Sequence, residues 1–490
     1  MAYRSPAHVS NIDSEVMNLY LTGIRNNRGG EEPEDAMDTS FEDHLVYRSI
    51  SEEEGAVLHR MLSIGLPVTC IRISHMSLRA FKLAFDNLER CESLTDLYLG
   101  VDCEGQGLGQ GLSRVFTKLY SLELMCSNTG SAFAKDVASY ITQSKSLKEL
   151  GIGGCCGGDD GAAHLIEALK RNDTLKKLTL YEMTLSCDTL ISFAKMLALN
   201  TTLEIVKLDD ACSADKEKLS SLLAEGGYVS VFKRLQLLWP EELLSELTAL
   251  IRREACSPTL FVQITSAVDK RVLGEFFQAV AADNTVRRLM FCESGDNTFD
   301  ELAEGIAFTV RHTRTLRLII NYMDVKRGSE HQLTIVLDAL KDNHSIADFA
   351  MRVEQVTPEV ATSLSKLLEV NKSLRSIEVC DSSYISPEEV NTIVRGLRRN
   401  CTLTRLTVGS YADEWEKEIA ELLDRNLELT DDAMDFVITG EDVSDKGLHA
   451  LMSVHSSAGF VETVREETCD TTEEAIEEIE ATLASVSAGP

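Results

Sequence analysis

The 490-residue sequence holds only 8 prolines and 29 glycines, which excludes a collagen-like repeat. No run of 18 apolar residues occurs, so no membrane span is expected. The opening residues (MAYRSPAHVSNIDSEV) lack an apolar stretch, and no secretory signal is expected. Basic charge is in deficit: 48 Lys and Arg stand against 79 Asp and Glu, for a net charge of -31. A generally basic nucleic-acid binder is therefore not the leading reading. The 13 cysteines are scattered, with no C-x-x-C pair, and only Cys155 and Cys156 are close. Neither a disulfide framework nor a zinc site has spaced ligands to stand on, and reduced thiols in the cytoplasm are expected.

Signatures of known catalysis are also missing. There is no H-E-x-x-H, no G-x-S-x-G and no kinase signature. Two glycine-rich stretches, Gly100–Gly111 and Gly151–Gly161, do not satisfy G-x-G-x-x-G and lack the Lys-Ser/Thr of a phosphate loop. Their aspartates would repel a phosphate, so both read as turns. The ten histidines are dispersed, with His164 expected exposed on a helix face. No catalytic residue, metal site or cofactor is expected.

What is present is an internal repeat. A helical stretch, then Asn-x-Ser/Thr, then Leu-x-x-Leu-x-Leu recurs about every 28 residues. Clear copies run through Leu147, Leu150 and Ile152; Leu175, Leu178 and Leu180; and Leu203, Val206 and Leu208. Others run through Ile346, Phe349 and Met351; Leu374, Ile377 and Val379; and Leu403, Leu406 and Val408. Weaker copies start at Val68, Leu94, Leu119, Phe232, Thr259, Val286 and Thr315, for about 13 repeats, with those near 259 and 315 off-register. The apolar positions fit one face of a short strand, by its period of two. The preceding segments carry apolar residues at i, i+3, i+4 and i+7, as in Leu333, Val336, Leu337 and Leu340, which is one helix face. Asn172, Asn200, Asn343, Asn371 and Asn400 each follow the last helical leucine by three residues. An Asn there is expected to end the helix in the left-handed conformation. These five tripeptides also match the glycosylation sequon, but they track the repeat, and a structural role is the expected one.

This pattern, over residues from about 60 to 412, resembles the leucine-rich repeat. Its long period with a full helix resembles the ribonuclease-inhibitor-like subclass, to which the repeat arrays of NOD-like receptors belong; no nucleotide-binding module accompanies it. One departure is the position after the strand, usually Asn or Cys, which is Cys155 in one copy but Met183, Ala211, Ser294, Glu354 or Ser382 in others. The resemblance implies an α/β leucine-rich-repeat solenoid, a horseshoe with parallel strands on the concave face and helices on the convex face. Strands stack about 4.8 Å apart and helices need about 9 Å, so such an array must curve and leave the inner sheet face uncovered.

Charge divides the chain into three parts. Residues 1–56, an N-terminal flank and cap, have net charge -8; residues 412–490, a C-terminal cap and acidic extension, have -18; the array, residues 57–411, keeps only -5. A short helix is expected around Ile12 to Ile24. Ser51 with Glu54 forms a capping box that opens a helix through Met61. The C-terminal flank is expected to hold a capping helix through Leu422 and Leu423, a short folded extension to about Ser457, and an acidic helix after Thr471. Both flanks read first as caps and solvated tails, and otherwise as an acidic tail that docks a basic partner or competes for the groove.

The open face offers the binding residues. Expected there are Asp96, Glu123, Glu149, Glu182, Asp209 and Asp210 in the first half, and Arg234, Arg288, Arg317, Arg352 and Arg405 in the second, with Tyr98, Tyr181, Trp239, Phe261 and Tyr322. The groove would be acidic early and basic late. A contact patch is expected around Arg234, Trp239, Phe261, Arg288 and Arg317, since aromatic and arginine side chains concentrate at interfaces; the alternative is ordinary solvated sheet residues, with Trp239 tucked against Pro240 and the next helix. The expected function is non-enzymatic recognition of another protein, in the cytoplasm, with no nucleic acid, membrane or small-molecule cofactor. Alternatives are an inhibitor of a basic enzyme, as the ribonuclease-inhibitor resemblance implies, and a regulator resembling Ran GTPase-activating proteins, which also carry such repeats before an acidic tail. Substrate recognition for a ubiquitin ligase finds no F-box-like segment before Val68.

Overall fold

A computed structural model describes residues 19, 22, 44–66, 68–86, 93–103, 105–108, 118–127, 129–154, 156–183, 185–211, 215–224, 227–264, 268–293, 300–325, 330–439, 445–468 and 471–487. It is a leucine-rich-repeat solenoid of alternating strands and helices, divided into two compact units, residues 1–238 and 239–490.

The first unit carries strands β1 (His44–Tyr47), β2 (Cys70–Ser77), β3 (Asp96–Asp102), β4 (Ser121–Ser127), β5 (Glu149–Gly153), β6 (Lys177–Leu180), β7 (Ile205–Ala211) and β8 (Leu235–Trp239). They pair in parallel and in chain order. Helices α1 (Glu52–Ser63), α2 (Leu78–Phe85), α3 (Ser131–Gln143), α4 (Gly158–Leu169), α5 (Cys187–Leu199) and α6 (Lys216–Ala224) connect them. Strand β1 lies within the stretch read as a flank, so the sheet begins before the first recognisable repeat. The capping box forms as expected: the Ser51 amide donates to Glu54 Oε2 at 2.8 Å, and the Glu54 amide to Ser51 Oγ at 3.3 Å. Of the helix expected around Ile12 to Ile24, only helical residues 19 and 22 are described, and the Tyr47 hydroxyl donates to the Leu19 carbonyl at 3.0 Å.

The second unit carries β9 (Thr259–Ile264), β10 (Arg288–Glu293), β11 (Leu318–Val325), β12 (Asp348–Val353), β13 (Ser376–Tyr384) and β14 (Arg405–Ser410), again parallel and in order. Between them stand α7 (Leu244–Ile251), α8 (Lys270–Ala282), α9 (Asp300–His312), α10 (Glu330–Leu340), α11 (Pro358–Val370) and α12 (Pro387–Leu397). The start of α11 shows why a helix forms: Thr357 Oγ1 accepts from the Val360 amide, and Pro358 fits the first turn, where its missing N–H costs nothing.

The repeat signature is the core. All eighteen apolar residues of the six clear copies are 8% exposed or less. The helix face of Leu333, Val336, Leu337 and Leu340 is fully buried. Each such leucine contributes about 2 kcal/mol through removal from water.

The five asparagines do something other than expected. Asn200 and Asn371 are extended, with φ -84 and -75, and none of the five is among the left-handed residues. Their side chains form a buried ladder instead. Asn371 Oδ1 accepts from the amides of Ser373 and Leu374, while its Nδ2 donates to the carbonyls of Leu340 at 2.8 Å and Asn343 at 3.0 Å. Asn400 and Asn200 make the same four bonds to their own neighbours. An amide can donate and accept at once, which is what a corner between a helix end and a strand start requires. Burial of all five at 6% exposure or less supports the structural role over glycosylation.

The C-terminal flank is folded, not a solvated tail. Helices α13 (Asp413–Thr439), α14 (Asp445–Val454), α15 (Ala458–Thr468) and α16 (Thr472–Ser487) share a core of their own that includes Ala433, Phe436, Leu451, Phe460, Val464 and Ile479. The glycine-rich stretch at 151–161 turns as expected: Gly154 has φ +82, and a Cβ there would fall 1.7 Å from the Cys126 carbonyl oxygen.

Candidate functional site

Alternation along each strand puts one set of side chains against the helices and turns the other to the open face, mostly half-buried or exposed, although Ser121, Thr179 and Ala350 are buried there. On the first unit this open face carries a row in register across β2 to β7: Arg72, Tyr98, Glu123, Gly151, Thr179 and Lys207. A second row runs through Asp96, Ser121, Glu149 and Lys177. The Arg72 guanidinium stacks 4.6 Å from the Tyr98 ring centre, and Lys207 Nζ stands 6.0 Å from that of Tyr181. Lys177 pairs with Glu149 at 3.5 Å. Gly151 leaves space in the row, since a Cβ there would meet Glu123 Cγ at 3.0 Å and Tyr181 Cε2 at 3.3 Å. Burial pushes the Glu123 carboxyl above its ordinary range, against the pull of Arg72 and Lys177.

These positions correct the expectation of an acidic first half. Arg72, Lys177 and Lys207 interleave with Asp96, Glu123 and Glu149, so the face is mixed. Glu182 is exposed but lies past the strand, in a left-handed turn with φ +52. The side chains of Asp209 and Asp210 lie outside the described residues. Sequence reasoning missed the three cations, although Arg72 and Lys207 stand at the same repeat position as Tyr98 and Glu123, and Lys177 at that of Glu149.

On the second unit the open face carries Phe261, Met290, Ile320 and Ala350 in register, an apolar band across β9 to β12. Beside it runs a row of Thr259, Arg288, Leu318, Asp348, Ser376 and Arg405. Phe261 is half-buried, and Arg288 and Arg405 are exposed, as expected. The side chains of Tyr322 and Arg352 lie outside the described residues. Asp348 and Glu378 share this face, so it is not basic throughout.

Three members of the expected patch lie elsewhere. Trp239 is 3% exposed, on the covered side of β8 with Leu235 and Leu237; the expectation had its parity wrong by one residue. Arg317 stands just before β11, because this repeat starts at Leu316 and not at Thr315, and its side chain pairs with Glu462 at 3.5 Å. Arg234 follows a 3-10 turn, Val229–Lys233, with φ -102 and ψ -10, which swings it out of the strand row. Its guanidinium donates to the carbonyls of Asn200 at 2.8 Å, Leu203 at 2.7 Å and Leu197. The expected patch thus reduces to Phe261 and Arg288, with Tyr98 and Tyr181 on the first unit.

Among the described residues no group of three or more His, Cys, Asp or Glu side chains could hold a metal ion. No described helix is long and apolar enough to cross a membrane. The eight described free cysteines are mostly buried, and burial pushes the Cys70 thiol up to about 11, far from a reactive thiolate.

No family model matches the chain. Human leiomodin-2 is 26% identical over 114 residues, 22% of this chain and 21% of that protein. Tropomodulin-4 from Bos taurus is 29% identical over 97 residues, 19% of this chain and 28% of that protein. Its Mus musculus counterpart is 27% identical over 97 residues. The chain therefore spans only 21% to 28% of the length of these curated relatives. The solved tropomodulin C-terminal domain of Caenorhabditis elegans is 13% identical, with a TM-score of 0.25, over 38% of this chain and 93% of that one. The sequence likenesses agree with a leucine-rich-repeat type of protein.

Proposed function

We propose that the chain is a non-enzymatic recognition protein that holds another protein on the open faces of its strands. The observation that carries this reading is the row of Arg72, Tyr98, Glu123, Gly151, Thr179 and Lys207, an aromatic and charged surface in register on a sheet face. The apolar band of Phe261, Met290 and Ile320, with Arg288 beside it, supports a second contact area. The period near 28 with a full helix supports the ribonuclease-inhibitor-like subclass within the leucine-rich repeats. The mixed charge of the first face gives no support to an inhibitor of a basic enzyme, and the folding of the acidic C-terminal flank into helices gives none to the reading that resembles Ran GTPase-activating proteins. A cytoplasmic location fits the free thiols.

The likeness to leiomodin and tropomodulin makes actin and tropomyosin the first probes. The matched share is too small to carry an activity over. The test is affinity capture from a cytosolic extract, with actin filaments and tropomyosin as separate baits. Wild type is run beside Tyr98→Ala/Lys207→Glu and Phe261→Ala/Arg288→Glu, with folding checked by circular dichroism. Loss of a partner in either variant is expected. Equal retention by both folded variants overturns the open-face reading.

A further inference from the structure

In the second unit three arginines stand at the residue before a strand: Arg287 before β10, Arg317 before β11 and Arg375 before β13. The intervening position holds Ala347 and the last holds Thr404, so the row has three cations and no acid. The same row in the first unit holds Lys148, Lys176, Glu204 and Arg234; Lys176 pairs with Glu204 of the next repeat, and Arg234 donates to backbone carbonyls. Each arginine of the row meets a carboxylate of the C-terminal helices, and Arg375 also pairs with Asp348 of β12. Arg287 Nη2 meets Glu473 Oε1 at 3.3 Å, and Arg317 Nε meets Glu462 Oε1 at 3.5 Å. Arg375 forks onto Glu466, with Nη1 to Oε2 at 2.7 Å and Nη2 to Oε1 at 2.9 Å, while Asp348 takes its Nε at 3.0 Å.

Helix α15 is seated closely. The Gly459 amide donates to the Ser373 carbonyl at 2.8 Å, and a Cβ on Gly459 would fall 2.7 Å from Arg375 Cβ. Glu462 and Glu466 are four residues apart, on one face of the helix. The apolar core of α13 to α16 is internal to those helices, so charge and hydrogen bonds dominate the contacts seen with the arginine row. Ion pairs of this sort trade desolvation against attraction and leave a small net term, so a second helix with the same carboxylates can exchange for the first.

We infer that the Arg287, Arg317 and Arg375 row is a receptor for an acidic helix, occupied in cis by α15 and α16 and open to exchange with a partner helix that carries glutamates one turn apart. This surface lies at the strand starts and does not depend on the open-face reading. No residue that the open-face variants replace is substituted in the test below, so the two readings fail separately.

The test uses the full-length chain and a fluorescent synthetic peptide of residues 458–487. In the variant Glu462→Gln/Glu466→Gln/Glu473→Gln the cis carboxylates are neutral. The peptide is expected to bind this variant at least about tenfold more tightly than wild type, with a salt-sensitive affinity. Adding Arg375→Glu is expected to abolish that binding. Hydrogen exchange is expected to show α15 amides losing protection in the variant while β10 to β13 keep theirs. The inference is overturned if the peptide binds neither protein, or binds equally with Arg375→Glu. It is also overturned if α15 keeps full protection, or if β10 to β13 lose theirs, since the helices would then be a fixed part of the array.

Discussion

Arg234 donates through its guanidinium to the backbone carbonyl of Asn200 at 2.8 Å, the kind of bond that an asparagine of the following repeat makes elsewhere. Asn200 itself bonds Asn172 in that way at 3.1 Å. In the second unit Arg425 closes the ladder similarly, bonding the carbonyls of Asn400 and Leu397. Arg234→Met keeps the aliphatic stem and removes all three donors. It is expected to destabilise the first unit by about 2 kcal/mol, because carbonyls at a buried corner lose their partners. Urea denaturation followed by circular dichroism reads this as a lower midpoint.

Asp283 stands where the ladder wants an amide. Its Oδ1 accepts from the Thr285 and Val286 amides, each at 2.6 Å, and from the Thr285 hydroxyl. A carboxylate has no donor to offer the preceding repeat. Asp283→Asn keeps the shape and adds that donor, so it is expected to stabilise by about 1 kcal/mol. A denaturation midpoint at or below that of wild type would contradict this account.

Gly154→Ala tests the tight corner after β5. The substitution combines φ +82 with a Cβ overlapping the Cys126 carbonyl oxygen. Strain of about 3 kcal/mol is expected, with protection of β4 and β5 amides falling first in hydrogen exchange.

Glu466 makes the C-terminal contact sensitive to acid. Burial raises its carboxyl, but the hydrogen bonds and charge of Arg375 outweigh this, helped by Arg465 and Arg288, and hold it below the ordinary range. A depressed folded value means stability that is present above the unfolded value, near pH 4.3, and lost as pH falls through the folded one. Protection of α15 is expected to fall below about pH 4. In Glu466→Gln that step should shrink; an unchanged step would assign it to other carboxylates.

The repeat was legible because Leu150, Leu178 and Ile377 recur with the spacing that a buried strand face demands. The ladder asparagines were visible too, although their conformation was not: a left-handed cap and a side-chain bridge place Asn at the same position. Face assignment failed wherever register slipped by one residue, as at Arg317 and Trp239, since one residue turns a strand side chain to the opposite side. Arg234 was lost to a local 3-10 turn. Helices through Leu422 and after Thr471 were legible, but the contact of Arg375 with Glu466 spans 91 residues and leaves no periodic trace, so the docking of the C-terminal helices could not be read from spacing.

The ladder makes its rungs interchangeable. Asn371 bonds the carbonyl of Asn343, 28 residues earlier, and Asn400 bonds Asn371, 29 residues earlier. Excising one such period would bring Asn400 onto Asn343 with the same donors and acceptors facing each other. On the ladder alone, such a cut leaves no donor or acceptor unmatched, as a chain that loses one link still closes. The stretch from Arg234 to Asp283, with an arginine at one end and an acid at the other, has no such equivalence.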